Sequence, residues 1–157
     1  MAKSDRFEPV DTRRARGAWR LTFRFDGSDV QLARSERVDM IAPASPSAPP
    51  RSGEKRSGAW LDLKGPGGRT VFHRPLRDPF QTRAEVHSPD GQIRVVFRPP
   101  EPCEFQALLP YLPDATTVVL WSSPPEPALA GEPAREQARF ELEEEKKPPD
   151  EPPRKAR

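Results

Sequence analysis

Apolar and polar side chains alternate with a period of two through the middle of the chain. From Trp19 to Phe25 every odd-numbered residue is apolar, and the three residues between them are polar. Because successive side chains of a strand point to opposite faces, this pattern predicts a strand with one buried and one solvated face. Glycine, proline and aspartate separate further segments of this kind, and the predicted strands lie at residues 19–25, 30–41 (one or two strands), 59–63, 70–72, 82–87, 93–98, 105–109 and 117–121.

Seven or eight short strands, with no helix of normal length between them, predict an all-β fold. Such a series buries its inner faces by stacking two antiparallel sheets, and a small barrel is the alternative closure. We therefore expect a single immunoglobulin-like antiparallel two-sheet sandwich of seven or eight strands, with disordered termini. Because Cys103 is the only cysteine, we expect the fibronectin-like variant, which lacks the disulfide between the sheets.

The apolar residues place the boundaries of this domain. All three tryptophans, the only tyrosine and most of the leucine, isoleucine, valine and phenylalanine residues lie between Gly17 and Pro124. Only a segment that buries enough apolar area repays the entropy of ordering its chain. The sequence thus predicts a basic, flexible stub at residues 1–16, a β-sandwich domain at 17–124, and a tail rich in proline and charge at 125–157.

The tail contains one segment with an ambiguous pattern. Pro133 suits the first turn of a helix, and the apolar residues that follow form a thin stripe as far as Leu142. This predicts a short helix near residues 132–147, and a short strand at 140–142 is the alternative.

Composition and charge narrow the range of partners. The chain has 22 prolines, and its 26 basic and 24 acidic residues leave a formal net charge of +2. A field of mixed sign makes nucleic-acid binding unlikely. We expect no membrane span, because no apolar run is long enough, and a cytoplasmic location, because a single thiol is typical of a reducing compartment.

The residues that most often carry catalysis or bind metals are poorly placed in this sequence. Cys103 lies between Glu101 and Glu104, which would raise the pKa of its thiol rather than activate it. His73 and His87 lack the short spacing of a zinc site. The glycine-rich run 65–68 lies between two predicted strands, which favours a hairpin turn over a phosphate cradle. We expect no catalytic residue, metal or cofactor, and so no enzyme.

Four arginines are the candidates for contact with a partner. Arg20 and Arg24 share one face of a predicted strand, and Arg94 and Arg98 share a face of another. Guanidinium groups suit acidic protein partners, although a solvated outer face explains the same pattern. Trp60 and Trp121 suggest the alternative, a domain that binds carbohydrate or another ligand by stacking on exposed tryptophan.

Four segments carry a resemblance to known sequences, and they are Ser57–Leu63, Gly68–Pro79, Phe105–Ala115 and Val118–Leu120. They resemble a small uncharacterised bacterial family with an immunoglobulin-like fold. The resemblance covers about residues 19–124 and implies the sandwich fold, but it implies no activity and no site residue. Together these patterns predict a non-enzymatic cytosolic module that mediates protein–protein interaction or forms part of a larger assembly. They predict neither the identity of a partner nor the oligomeric state.

Overall fold

A computed structural model describes residues 7–143, and this part of the chain is all-β. It has nine strands and no α-helix. The strands are β1 (Ala18–Phe25), β2 (Val30–Val38), β3 (Ala59–Lys64), β4 (Thr70–Leu76), β5 (Arg83–His87), β6 (Ile93–Phe97), β7 (Cys103–Pro110), β8 (Thr117–Ser122) and β9 (Arg135–Glu141). Three short 3₁₀ turns lie at Thr12–Arg14, Pro66–Gly68 and Pro127–Leu129.

The strands form three antiparallel sheets. One sheet has the order β2–β1–β7, a second has the order β4–β3–β8–β9, and β5 and β6 pair only with each other. The prediction of an all-β fold with antiparallel sheets is confirmed. Within residues 7–143, no helix reaches the length and apolar character needed to span a bilayer.

One hydrophobic core joins the three-stranded and four-stranded sheets. The odd-numbered residues of β1 are buried on its inner face, as the alternation predicts. They share a cluster with Leu61 and Leu63 of β3 and with Val118 and Leu120 of β8. Aromatic rings bridge the two sheets, because Phe23 of β1 lies 5.8 Å, centroid to centroid, from Phe140 of β9.

The outer face of the four-stranded sheet is also buried around β3. Trp60 and Asp62, which point away from the core side of β3, are both buried. Residues 48–56, named here the covering segment, line two cavities against this face. Arg56 fixes the segment, because its Nη1 donates to the carbonyl of Ala48 at 2.9 Å and its own carbonyl accepts from the Ala134 amide at 2.8 Å.

The prediction of a short helix near residues 132–147 is wrong. Residues 135–141 form β9, which pairs with β8 so that Phe140 lies opposite Val118 and Ala138 lies opposite Leu120. Leu142 is buried in the core, so the folded unit continues beyond the boundary predicted at residue 124. A strand forms here, rather than a helix, because its apolar side chains extend the core and β8 supplies hydrogen-bond partners for its backbone. Residues 144–147 lie outside the described part of the chain.

The two predicted flanking segments are described only in part. Residues 1–6 of the stub and 144–157 of the tail lie outside the described residues. In the remainder of the stub, Asp11 caps the turn Thr12–Arg14 by accepting a hydrogen bond from the Arg13 amide, and Thr12 is buried. Thr12 is thus buried within this part of the stub, whereas the residues around it are exposed or half-buried.

Gly17 closes the start of β1 in a conformation that other residues rarely adopt. Its φ is +100°, and a Cβ at this position would lie 2.7 Å from the carbonyl oxygen of Val38. We expect Gly17→Ala to lower the free energy of unfolding by about 1–3 kcal/mol, measured by urea denaturation. Gly131→Ala is the control, because nothing lies within 4 Å of its added Cβ, and it should change the stability by less than about 1 kcal/mol. Equal effects of the two substitutions would contradict this role for Gly17.

Candidate functional site: an exposed hairpin arm

The hairpin of β5 and β6, named here the arm, exposes apolar side chains that a strand normally buries. Within residues 7–143 neither outer edge of this hairpin pairs with another strand. Every residue of β6 is exposed. The large apolar side chains of the arm are between 40% and 59% exposed, and they are Val86, Ile93, Val95, Val96 and Phe97.

Hydrogen bonds at both ends hold the arm in this shape. At its tip the amides of Ser88 and Gly91 bond to the carbonyls of Gln92 and Ser88, and Gly91 takes the positive φ that the turn requires. At its base the carboxylate of Asp78 accepts hydrogen bonds from the amides of Thr82 and Arg83. The sequence therefore builds a defined two-stranded ribbon.

The cross-strand register gives the arm two different faces. On one face Ile93, Val95 and Phe97 lie opposite His87, Glu85 and Arg83 respectively. The Arg83 guanidinium carbon lies 5.6 Å from the centroid of the Phe97 ring. On the other face Val86 lies opposite Arg94, and Ala84 lies opposite Val96. Both faces thus combine apolar surface with at least one cation.

The structure does not unite the four predicted contact arginines in one patch. Arg20 and Arg24 lie on the outer face of β1, where their guanidinium groups pair with Glu36 at 2.9 Å and with Glu104 at 3.2 Å. Arg94 lies in the arm, and Arg98 follows it directly. Neither of these two side chains has an ion-pair or hydrogen-bond partner among residues 7–143. Of the four arginines, only Arg94 and Arg98 therefore lack a neutralising carboxylate among the described residues.

The two tryptophans of the ligand-binding alternative do not form an exposed platform. Trp60 is 5% exposed, and Trp121 is half-buried. Their rings stack on each other with centroids 6.2 Å apart and planes 12° apart. Trp60 therefore does not offer the exposed stacking surface that the ligand-binding alternative requires, because the covering segment lies over this face.

A buried polar pair, which the sequence analysis did not predict, lies beside these tryptophans. His73 of β4 and Asp62 of β3 are cross-strand neighbours, and they are 1% and 5% exposed. The distance from His73 Nδ1 to Asp62 Oδ1 is 2.8 Å. The sequence signal for this pair is an aspartate inside the apolar run 59–63, with a histidine placed opposite it across a tight hairpin. His87, in contrast, is exposed in the arm, and no group of three potential metal ligands occurs within residues 7–143.

Cys103 lies half-buried at the start of β7, where its thiol donates to the carbonyl of Pro79 at 3.7 Å. Burial raises the pKa of this thiol, and the carboxylate of Asp78 raises it further. The acidic neighbour that acts on it is therefore Asp78, rather than Glu101 or Glu104 as the sequence suggests. A thiol in this environment is poorly ionised at neutral pH.

This environment predicts slow alkylation of Cys103. Because the raised pKa lowers the thiolate fraction, iodoacetamide should react several-fold more slowly with the folded protein than with free cysteine at mildly alkaline pH. Asp78→Asn should increase the rate, whereas Glu104→Gln should leave it unchanged. An equal effect of both substitutions on the measured rate would contradict the assignment to Asp78.

A scan against protein-family models, a search of curated proteins and a search of solved structures found no match to this chain. The function is therefore inferred from the geometry of these sites.

Proposed function

We propose that the chain is a non-enzymatic protein-interaction module, an immunoglobulin-like sandwich that binds its partner through the arm. The observation that carries this proposal is the exposure of five large apolar side chains on one two-stranded ribbon. Fully burying such a side chain stabilises a complex by about 1.5–3 kcal/mol relative to leaving it in water. An exposed cluster of this kind is typical of an interaction surface.

The unpaired edges of the arm favour strand addition as the mode of binding. The outer edge of a terminal strand presents backbone N–H and C=O groups that an extended segment can pair with. The sequence of β6 is rich in β-branched residues, and Arg94 is its only charged residue. Strand β5 alternates apolar residues with Arg83, Glu85 and His87, which oppose an incoming apolar strand. We therefore assign the docking edge to β6.

The charges near this edge define the chemistry of the partner. Arg94 and Arg98 lack partners within residues 7–143, and guanidinium groups pair well with carboxylates. The complementary partner is an extended protein segment in which apolar side chains alternate with acidic ones. The single half-buried thiol accords with a cytoplasmic module, in which no disulfide is needed.

The proposal can be tested by selecting binders from a displayed library of random peptides. We expect enrichment of extended peptides with alternating apolar and acidic residues. Val95→Glu should weaken their binding at least about tenfold, because it places a carboxylate in the apolar stripe. Ile41→Glu is the matched control, since Ile41 is an exposed aliphatic residue outside the arm, and it should have no effect.

Two results would overturn this function. One is a selection that enriches no peptide, and the other is equal binding of the enriched peptides to the Val95→Glu and Ile41→Glu variants. Sedimentation of the free chain provides the comparison with self-association. A dimer that Val95→Glu abolishes would assign the β6 edge to a second copy of the chain instead of a separate protein.

A further inference from the structure

A groove lies between the edge strands of the two larger sheets. Strand β7 forms one edge of the three-stranded sheet, and β4 forms one edge of the four-stranded sheet. The groove has a volume of about 520 Å³, which is within the range of ligand-binding pockets. No residue of β5 or β6 lines it, so it is separate from the docking edge of the arm.

The lining of the groove combines apolar side chains with positive charge. Most of the lining side chains are apolar, and they include Leu76 of β4 and Phe105 of β7. Three arginines also line the groove, and no acidic residue among residues 7–143 does. Of these arginines, only Arg20 has a carboxylate partner in this part of the chain. A complementary ligand therefore combines apolar surface with negative charge.

Arg74 reaches from β4 to β7 and closes one end of the groove. Its Nε donates to the carbonyl of Leu108 at 3.2 Å, its Nη1 donates to that of Ala44 at 3.3 Å, and its Nη2 donates to that of Pro43. A guanidinium group carries five N–H bonds, so two remain for a ligand. Burial lowers the pKa of Arg74, because no carboxylate among the described residues replaces the water that its charge loses. A carboxylate at this end would supply the missing counter-charge.

A second contact bounds the other end of the groove. The Cys103 thiol donates to the carbonyl of Pro79, which lines the groove, at 3.7 Å. Between this contact and Arg74 the groove follows residues 103–108 of β7, a stretch of about 17 Å at the usual rise of a strand. A long segment that ran through the groove would displace both contacts, whereas the end of a chain can enter from solvent.

The edge of β7 that faces the groove presents a free backbone. The amide of Tyr111 donates to the carbonyl of Gly17, so every second residue of β7 counted from Tyr111 points its backbone groups toward β1. Gln106 lies between two such residues and points its N–H and C=O away from β1, where no group among residues 7–143 bonds to them. The carbonyl of Leu108 points the same way and accepts from Arg74, in agreement with this alternation.

Strand β4, on the opposite side of the groove, is a poor partner for a further strand. Its sequence contains Pro75, which lines the groove and has no N–H to donate. Proline in an edge strand is a common means of preventing such pairing. An extended segment in the groove would therefore pair with β7.

We propose that this groove binds the free C-terminus of an extended protein segment whose last side chain is apolar. The terminal carboxylate accepts from Arg74 at the closed end. The last side chain packs on Leu76 and Phe105, and the backbone of the segment pairs with Gln106. The segment runs parallel to β7, because its carboxylate lies at the Leu108 end of the groove.

Other occupants satisfy only part of the groove. An internal segment brings a backbone to the edge of β7 but has no terminal carboxylate for Arg74. An apolar acid without peptide groups brings the carboxylate but leaves the backbone of Gln106 unpaired. A chain end supplies both groups at once, so the proposal requires that affinity depend on both.

The test is calorimetric titration of the full chain with N-acetylated hexapeptides of serine and threonine that end in a free valine, leucine, isoleucine or phenylalanine. At least one of the four should bind at or below millimolar concentration. Its C-terminal amide should bind about tenfold or more weakly, because a charge-assisted hydrogen bond is lost. The proposal is overturned if none of the four binds, or if acid and amide bind equally.

Two further ligands separate a chain end from the other occupants. The first is the best peptide extended by two serines beyond its apolar residue, and the second is decanoate, an apolar carboxylate without peptide groups. Each should bind about tenfold or more weakly than the best peptide, because each lacks one of the required contacts. Equal affinity of the extended peptide would assign the groove to an internal segment, and equal affinity of decanoate would assign it to a small acid. Either result overturns the proposal.

Two substitutions at one position examine the edge of β7. Gln106→Pro removes the outward N–H without removing a bond to β1, whereas Gln106→Ala removes the same side chain and keeps that N–H. The first should weaken binding of the best peptide about tenfold, and the second should change it less than about twofold. Equal affinities of the two variants, with cooperative melting retained, would contradict pairing with β7.

The comparison of acid and amide uses the unaltered chain, so it decides the proposal even if Gln106→Pro does not fold. Val95→Glu should leave the affinity for the best peptide unchanged, because Val95 lies in the arm. A loss of binding in this variant would place the peptide on the arm and overturn the assignment to the groove. Failure of the groove to bind any chain end leaves the proposed function of the arm intact.

Discussion

Replacing Phe23 with alanine is expected to lower the free energy of unfolding by about 3–5 kcal/mol. The side chain is fully buried in β1. Its ring stacks on Phe105 of β7 at a centroid distance of 5.0 Å and approaches Phe140 of the other sheet at 5.8 Å. Truncation leaves a cavity where the two sheets meet, and the rigid strands around it cannot close the gap. Urea denaturation followed by far-ultraviolet circular dichroism measures the effect.

Phe97 provides a control with the same chemical change. It lies in the arm and is 49% exposed, so Phe97→Ala removes only about half as much buried area as Phe23→Ala. The expected loss is correspondingly smaller, about 1–2 kcal/mol. If the two substitutions cost the same, or if Phe23→Ala costs less than about 1 kcal/mol, Phe23 does not join the two sheets.

The same contrast shows how far the sequence predicts this fold. In β1 the alternation predicts both the strand and its buried face, because one face meets the core and the other meets solvent. In β6 the alternation predicts the strand equally well. Its apolar residues nevertheless remain exposed, because among residues 7–143 the arm pairs with neither of the two larger sheets. A period of two identifies a strand but does not reveal what covers it.

Strand β3 shows a second limit of the pattern. Four consecutive residues, Trp60 to Leu63, are buried because the core covers one face and the covering segment covers the other. The sequence of that segment, rich in proline and polar residues, predicts a loop but does not predict where the loop lies. The buried pair of Asp62 and His73 and the stacked tryptophans lie on the face that this segment covers, so only the structure reveals that they are buried.

Pairing between residues far apart in the sequence also explains why two other predictions differ from the structure, namely the helix near 132–147 and the availability of Arg20 and Arg24. The apolar stripe of Ala138 and Phe140 fits a helix or a strand, and the free edge of β8 selects the strand. Arg20 and Arg24 look available in the sequence, but the register places Glu36 and Glu104 within ion-pair distance of them. These partners lie 16 and 80 residues away along the chain. Local periodicity carries no information about such distances.

Substitution of the buried pair should reveal strong coupling between Asp62 and His73. His73→Ala leaves the Asp62 carboxylate buried without its donor, and we expect it to lower the free energy of unfolding by about 3–5 kcal/mol. Asp62→Ala leaves the imidazole Nδ1 unpaired and should cost about 1–3 kcal/mol. The double variant removes both polar groups, so neither is left buried without a partner. Its loss should therefore be smaller than the sum of the two single losses by at least about 1 kcal/mol.

An exposed pair supplies the matched double-mutant cycle. Arg24 and Glu104 are 3.2 Å apart, but both side chains are more than half exposed. Solvent screens such a pair, so its coupling energy should stay below about 1 kcal/mol and fall further with added salt. The buried pair should show little dependence on salt, because its atoms lie away from the ions. Additive losses for Asp62 and His73 in urea denaturation would mean that the two groups do not stabilise each other, and that the outer face of β3 is open to water.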